Sequence, residues 1–137
     1  MSPKVQRIIG WILSGLIAEF LIVASGVPKL IDNPDPNAKQ QMEEILNKIG
    51  WSAETIKVIG VIEILAALLY MVPRTGFLGA ILLTGYLGGA IATHVRVGEL
   101  NWIMPLVMGV LAWVALALRN PIFFRLVVGA NPTPQAA

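Results

Sequence analysis

The sequence predicts an all-α integral membrane protein, a bundle of four membrane-spanning helices with a short amphipathic helix in the first loop outside the membrane. Apolar residues make up 56% of the chain and charged residues only 13%, whereas a soluble domain is about 45–50% apolar and about 25% charged. Four apolar stretches approach the length of about 20 residues that crosses a bilayer. This composition excludes a soluble enzyme and a nucleic-acid-binding domain, and the absence of cysteine excludes a disulfide-stabilised scaffold.

The four apolar stretches differ in how many charges they contain. Thr75–Thr93 and Leu100–Leu118 contain none, while the first stretch contains Glu19 and the second contains Glu63. We predict spans at about 6–28, 53–72, 76–97 and 101–119. They form a single transmembrane domain over residues 1–130, and residues 131–137, with two prolines, are predicted to be a flexible tail.

The loop between the first two spans has the pattern of an amphipathic helix at about 38–49. Asn37 is expected to cap its start, with Gln40 as the capping-box partner, and Gly50 to end it. The apolar side chains recur at helical spacing: Met42, Ile45, Leu46 and Ile49. Two interpretations stay open, a helix lying on the membrane surface and one packed on the end of the bundle.

Charge distribution suggests an orientation. An even number of spans places both termini on one side, together with five basic residues and no acid; these are Lys4, Arg7, Arg74, Arg119 and Arg125. The other side has an equal number of basic residues. The basic termini and the short loop at Arg74 therefore decide the prediction that both termini are cytoplasmic.

Three ionisable residues within the spans are candidates for proton transfer or ligand hydrogen bonding: Glu19, Glu63 and His94. Such residues are rare in membranes and usually face the bundle interior. Counted at about 1.5 Å per residue, all three fall in the half of the bilayer near the loop helix, so we expect them to share a pocket. The alternative is a purely structural polar contact between Glu63 and His94 that fixes helix register.

Four further residues are candidate ligand-binding groups around that pocket. Tyr86 and Thr93 lie on one face of the third span, and Lys29 and Arg96 are expected at the mouth of the pocket. Each has a plainer interpretation, as an interhelical hydrogen bond for the first two and as snorkelling to lipid headgroups for the basic pair. Gly85 and Gly89 form a small-residue pair that predicts close helix contact. One histidine and no cysteine predict no metal site.

Several motifs resemble the DoxX-like family, over about residues 10–126. They are Ser25-Gly26-Val27-Pro28-Lys29-Leu30, Gly60-Val61-Ile62-Glu63, Pro73-Arg74-Thr75, Leu78-Gly79-Ala80, Gly85-Tyr86-Leu87-Gly88-Gly89-Ala90, Thr93-His94-Val95-Arg96-Val97-Gly98-Glu99 and Leu118-Arg119-Asn120-Pro121. The resemblance implies a small four-helix bacterial inner-membrane protein. It also implies a link to quinone chemistry, because the family is named for a membrane subunit associated with a thiosulfate:quinone oxidoreductase.

Three functions follow as hypotheses, and whether the protein is an enzyme is left open. The first is a redox-linked protein that binds a quinone, or another lipophilic small molecule, near the buried Glu and His side chains. The second is a non-enzymatic assembly factor or chaperone-like subunit that binds partner helices. The third is an enzyme that uses Glu19 and Glu63 as an acid–base pair on a lipid. The expected partners are the lipid bilayer, a redox enzyme or other membrane protein, and a second copy of the chain, but not nucleic acid.

Overall fold

The computed structural model describes residues 1–127 and 129, and it is an all-α bundle, as the sequence predicts. Within the described part of the chain there is no strand, and four long helical segments pack side by side. The first comprises α1 (Pro3–Glu19), a π-helical segment (Phe20–Gly26) and α2 (Val27–Leu30). The remaining elements are α3 (Pro36–Ile49), α4 (Ala53–Met71), α5 (Gly76–Arg96), a 3₁₀ turn (Leu100–Trp102), α6 (Ile103–Arg119) and α7 (Pro121–Val127). The predicted tail at 131–137 lies outside the described residues.

Three of the four long segments are long and apolar enough to cross a membrane: Pro3–Leu30, Gly76–Arg96 and Leu100–Arg119. The fourth, α4, contains Glu54, Lys57 and Glu63, which raise its charge content. That α4 also crosses the bilayer stays a prediction. Many large apolar side chains on the outer faces of all four segments are exposed, among them Ile12, Leu65, Ile81 and Val110. An outer surface of this kind is what lipid contact requires.

The helices form a ring in which α4 lies between the first segment and α5, and α6 lies between α5 and α1. Two ends can be distinguished: the terminal end, which carries residue 1 and α7, and the loop end, which carries α3. Glycine permits the closest approach between α4 and α5, since a Cβ at Gly79 would collide with the Tyr70 backbone. Tyr70 is fully buried, and its hydroxyl donates to the Ala112 carbonyl at 2.8 Å. These contacts close the bundle towards the terminal end.

Glu63 lies on the buried face of α4, as expected for an ionisable residue within a span. The buried residues of α4 are Gly60, Glu63, Ala66, Ala67 and Tyr70, the set that the helical spacing places together. Since Ala66 and Ala67 are small, neighbouring helices approach α4 closely, and the buried carboxylate of Glu63 points into the bundle rather than towards lipid.

The amphipathic loop helix is present, but its predicted cap is wrong. Asp35, rather than Asn37, is the N-cap, and its side chain accepts from the Asn37 backbone N–H at 3.0 Å. The reason is Pro36, whose fixed φ suits the first helical position, so that the helix begins two residues earlier than predicted. Gly50 ends the helix with φ of 78°, as predicted.

Candidate functional site

A cavity of about 680 Å³ lies between the helices at the loop end. All four long segments and the end of α3 line it, and most of the lining is apolar: Phe20, Leu21, Ile49, Trp51, Ile56, Ile59, Ile62, Leu87, Met104, Pro105 and Met108, with the polar residues Ser25, Lys29, Glu63, Tyr86, Thr93, His94 and Asn101. Ligand sites commonly measure about 300–1,000 Å³ and combine apolar walls with a few polar groups. In size and lining the cavity is therefore a candidate binding site for a lipophilic molecule with a polar head.

An ion pair between Lys29 and Glu63 stands in the wall of this cavity. The Lys29 Nζ lies 2.6 Å from Glu63 Oε2, and the Glu63 side chain is 0% exposed while that of Lys29 is 19% exposed. The ammonium group also donates to Ser25 Oγ at 2.7 Å and to the Tyr86 hydroxyl at 3.1 Å. A buried charge pair needs such additional hydrogen bonds to offset its desolvation. Lys29 thus neutralises the carboxylate and joins three helices.

The second carboxylate oxygen of Glu63 is free. Among the described residues, Glu63 Oε1 is a buried atom that has no hydrogen-bond partner. A buried acceptor without a donor is costly, especially when it is charged. The Tyr86 hydroxyl accepts from Lys29, so its own proton remains able to donate. The site thus offers an acceptor and a donor side by side to the polar head of a ligand.

The local structure of the first segment sets the position of Lys29. Pro28 lacks an N–H and its ring crowds the carbonyl four residues earlier, which disfavours a regular α-helix at that point. The chain adopts a π-helical segment just before it, at Phe20–Gly26. A π turn takes one more residue than an α turn, so it rotates the faces that follow by about 100°. The Ser25 and Lys29 side chains both line the cavity beyond this segment.

His94 lines the same cavity but is not joined to Glu63. Its Nδ1 lies 3.2 Å from Glu99 Oε2, and its side chain is 30% exposed. The predicted polar contact between Glu63 and His94 is therefore wrong: the partner of Glu63 is Lys29, and that of His94 is Glu99. Lys29 was predicted as a ligand-binding residue at the mouth, but its pairing with Glu63 was not predicted, because a lysine at the end of a span usually snorkels to the membrane surface.

Glu19 does not reach the cavity. The residue is exposed, and it is absent from the cavity lining although its neighbour Phe20 is present. The prediction that Glu19 shares a pocket with Glu63 and His94 is wrong, because Glu19 lies off the buried face of α1, which is formed by Gly10, Ser14, Ile17 and Ala18. The hypothesis of a Glu19–Glu63 acid–base pair loses its geometric basis.

The mouth of the cavity is tied to the loop helix. The Arg96 guanidinium donates to the Ile49 carbonyl at the end of α3, and Lys48 lies 2.5 Å from Glu99. The hydrogen bond from Lys48, followed by that from His94, lowers the pKa of Glu99 below its usual value. Arg96 is thus a positioning residue for α3 rather than part of the lining, whereas the Thr93 side chain lies in the lining and bonds to the Gly89 carbonyl at 2.9 Å.

Gly85 and Gly89 have a different role from the predicted one. A Cβ built at either position meets no atom within 4 Å, so this pair does not mediate close helix packing. Both residues line the cavity and both are exposed. Because glycine has no side chain, these two positions leave space in the cavity and open it to the exterior.

Several lining residues escaped the sequence interpretation. Met104, Met108 and Trp51 were not among the predicted site residues, but all three line the cavity. Their apolar character gave no signal, because an apolar residue facing a cavity looks the same in sequence as one facing lipid.

Among the described residues, no group of three or more His, Cys, Asp or Glu side chains could hold a metal ion. The polar groups that could contact a ligand in the cavity are therefore Lys29 and the polar residues around it.

A comparison with protein families finds a match to the model of the DoxX-like family over residues 12–115. This stretch includes every cavity-lining residue. No curated protein and no solved structure matches the chain.

Proposed function

The chain belongs to the DoxX-like family, and from that premise we propose that it binds a lipophilic small molecule with a hydrogen-bonding head, a quinone or quinol being the first candidate. The observation that carries the proposal is the unpartnered Glu63 Oε1 beside a cavity of about 680 Å³. The apolar walls would hold the ring and its tail. The free oxygen of Glu63 would accept from a ligand hydroxyl, and the Tyr86 hydroxyl would donate to a ligand carbonyl.

Lys29 has two roles in this proposal. Its ammonium group pairs with Glu63 Oε2 at 2.6 Å and leaves Oε1 of the same carboxylate as the acceptor for a ligand. It also orients the Tyr86 hydroxyl by donating to it at 3.1 Å. His94, held by Glu99 at the rim, would offer a further hydrogen-bonding group to the ligand from the cavity lining.

A redox role extends the binding proposal. Conversion of a quinone to a quinol takes up two electrons and two protons, so the electrons must come from a redox enzyme docked on the protein, and the protons would pass through the His94 rim. We also propose the bacterial inner membrane as the location, with both termini cytoplasmic, on the basis of the basic residues at the terminal end.

The binding test uses Trp51 as a reporter, because it is the tryptophan in the cavity lining. Trp11, Trp102 and Trp113 are replaced by phenylalanine, and a short-chain ubiquinone analogue is titrated into the protein in lipid nanodiscs. Quinones quench nearby tryptophan fluorescence, so we expect saturable quenching that decylbenzene does not produce. Linear, unsaturable quenching equal to that of tryptophan octyl ester in the same discs would reject binding in the cavity.

Two leucine variants test the place of binding. Gly89→Leu puts four extra carbon atoms into the cavity, and Gly88→Leu puts the same atoms on the neighbouring position outside the lining. Both sites are open around Cβ, so both variants should fold. We expect at least about tenfold weaker binding for Gly89→Leu, which is about 1.4 kcal/mol, and unchanged binding for Gly88→Leu. Equal affinities would refute the location.

The polar groups are tested by Glu63→Gln and Tyr86→Phe in the same assay. Glu63→Gln replaces a charged acceptor by a neutral one, and charged hydrogen bonds are roughly twice as strong. We expect a several-fold loss of quinol affinity from this variant and a several-fold loss of quinone affinity from Tyr86→Phe. If both variants bind like the unchanged protein, the polar head does not contact these residues.

A second candidate function, a chaperone-like subunit that binds partner helices, is favoured by the apolar face of α3. Met42 is 41% exposed and Ile45 is 53% exposed, although both lie on the apolar face of this helix. The double variant Met42→Gln, Ile45→Gln should release any stoichiometric partner that copurifies with the protein. A partner retained by that variant would count against this function.

A further inference from the structure

Arg119, at the terminal end of the bundle, is a buried cation with incomplete hydrogen bonding. It ends α6 and is 7% exposed. Its guanidinium lies over the rings of Trp11, at 4.6 Å from the centroid, and Tyr70, at 4.5 Å. Nη2 donates to the Tyr70 carbonyl at 3.0 Å. The side chain is therefore fixed by two aromatic rings and one hydrogen bond.

The other donors of this guanidinium lack an acceptor in the part of the chain that the structure describes. Nε and Nη1 are buried and unpartnered among the described residues, and no carboxylate of that part of the chain forms an ion pair with Arg119. The sequence explains why: all eight acidic side chains lie between Glu19 and Glu99, away from the terminal end. A buried charge is normally paired, and buried donors are normally bonded.

Arg119 also lines a cavity of about 100 Å³. Trp11, Gly76, Phe77, Asn120 and Arg119 are among its lining residues. The Oδ1 of Asn120 accepts from the Ile122 backbone N–H at 3.2 Å, so the Nδ2 group of this amide is left as a further donor. The cavity offers donors and positive charge in a space of the size that a few water molecules occupy.

We propose that this cavity binds one tetrahedral oxyanion of the phosphate class, held by Arg119 and Asn120. A phosphate group has several acceptor oxygens, and its charge offsets that of the guanidinium, for which arginine is well suited. The aromatic rings of Trp11 and Tyr70 hold the guanidinium in place before the anion arrives. This site lies at the opposite end of the bundle from Glu63 and does not depend on the function proposed for that cavity.

The surroundings favour an anion at this end. Lys4, Arg7, Arg74 and Arg125 are all exposed, and no acid opposes them. Trp11 lies in the cavity wall, and tryptophan side chains concentrate at the headgroup level of a bilayer. The phosphate group can therefore come from a phospholipid headgroup or from free phosphate, and the experiment separates these sources.

The first part of the test uses the unchanged protein, so it does not depend on any variant folding. Delipidated protein in detergent is mixed with dioleoylphosphatidylglycerol or dioleoylglycerol, and bound lipid is counted by native mass spectrometry. Inorganic phosphate is titrated separately and followed by thermal stabilisation, which binding to the folded state alone produces. We expect the phospholipid to bind at least about tenfold more tightly than the diacylglycerol. Binding of free phosphate without phospholipid preference would support the site with the other source.

The second part compares variants. Arg119→Gln should weaken phosphate or phospholipid binding by about tenfold or more, the effect of losing a charged hydrogen bond. Arg119→Lys, which keeps the charge, should bind with intermediate affinity. Arg74→Gln removes the same charge from an exposed position at this end and should change affinity by less than about twofold. Equal losses in Arg74→Gln and Arg119→Gln, or no binding of either probe to the unchanged protein, would overturn the proposal.

Discussion

Replacement of Lys29 by methionine should destabilise the bundle by about 3–5 kcal/mol, the cost of leaving a buried charge without its partner. Methionine keeps the aliphatic length of lysine, so the change is mainly the loss of the ammonium group. That group lies 2.6 Å from Glu63 Oε2. Since Glu63 Oε1 already has no partner among the described residues, the substitution leaves both carboxylate oxygens unpaired in the interior.

The same structure predicts rescue by a second substitution. In the double variant Lys29→Met, Glu63→Met, no charge remains, and apolar replacements of a buried ion pair are often neutral or stabilising. We expect the double variant to lie within about 1 kcal/mol of the unchanged protein, or above it. The positive interaction energy between the two sites is the quantity to measure, and a double-mutant cycle isolates it.

The assay is equilibrium unfolding in mixed micelles with a denaturing detergent, followed by circular dichroism. Lys57→Met is the matched control, because Lys57 pairs with Asp32 at 3.2 Å with both side chains substantially exposed. A surface pair of this kind contributes about 0–1 kcal/mol. If Lys29→Met costs no more than Lys57→Met, or if the second substitution brings no rescue, the buried ion pair is not what holds these helices.

Three further predictions concern other parts of the fold. Tyr70→Phe should cost about 1–3 kcal/mol in the same unfolding assay, because the buried Tyr70 hydroxyl bonds both to the Ala112 carbonyl at 2.8 Å and to the Ser14 hydroxyl at 3.1 Å, and both bonds are lost; a cost near zero would contradict this. The pKa of Glu99 is lowered, chiefly by Lys48, so its stabilisation is present above its unfolded pKa and is lost as the pH falls through the folded pKa. Hydrogen exchange should show the last turn of α3 losing protection in acid, and Glu99→Gln should abolish that pH dependence. Asp35→Ala should lower the stability of α3 by about 1 kcal/mol, and Asn37→Ala should have little effect. An equal loss of helicity in the two variants would refute Asp35 as the cap.

The architecture of the bundle could be predicted because it depends on long patterns. The uncharged stretches of α5 and α6 exceed what a soluble protein contains, and the small residues beside Glu63 mark the buried face of α4. Gly50 was predicted to end the loop helix for a local reason, namely that its positive φ favours glycine. The apolar stretches could be predicted because their signal is spread over many residues, and the end of the loop helix because it depends on the backbone of Gly50 alone.

The pairing within the site could not be predicted because it depends on a break in helical register. The spacing of a regular helix gave no reason to place Lys29 beside Glu63, whereas the π-helical segment before Pro28 does so. The prediction of close helix contact at Gly85 and Gly89 failed for a related reason. The sequence pattern Gly85-x-x-x-Gly89 is the same whether a helix packs there or a cavity is left open. Only the three-dimensional neighbours separate these cases.

The site at Arg119 was hidden in the same way. Arginine at the end of a span indicates the cytoplasmic boundary, and the sequence interpretation used it only for orientation. Its burial between Trp11 and Tyr70 depends on residues far apart in sequence. One signal was available in the sequence: no aspartate or glutamate occurs before Glu19 or after Glu99, so the basic residues at the terminal end have no acidic side chain near them in sequence.

The central claim, a ligand in the cavity beside Glu63, is tested most directly by photolabelling. A photoreactive quinone analogue is bound to the protein in nanodiscs and irradiated, and the modified residues are identified by peptide mass spectrometry. We predict labels on cavity residues of α6, Met104 and Met108, that excess unlabelled quinone removes. Labels confined to lipid-facing residues such as Leu78 and Val110, or labels that unlabelled quinone does not remove, would contradict the account.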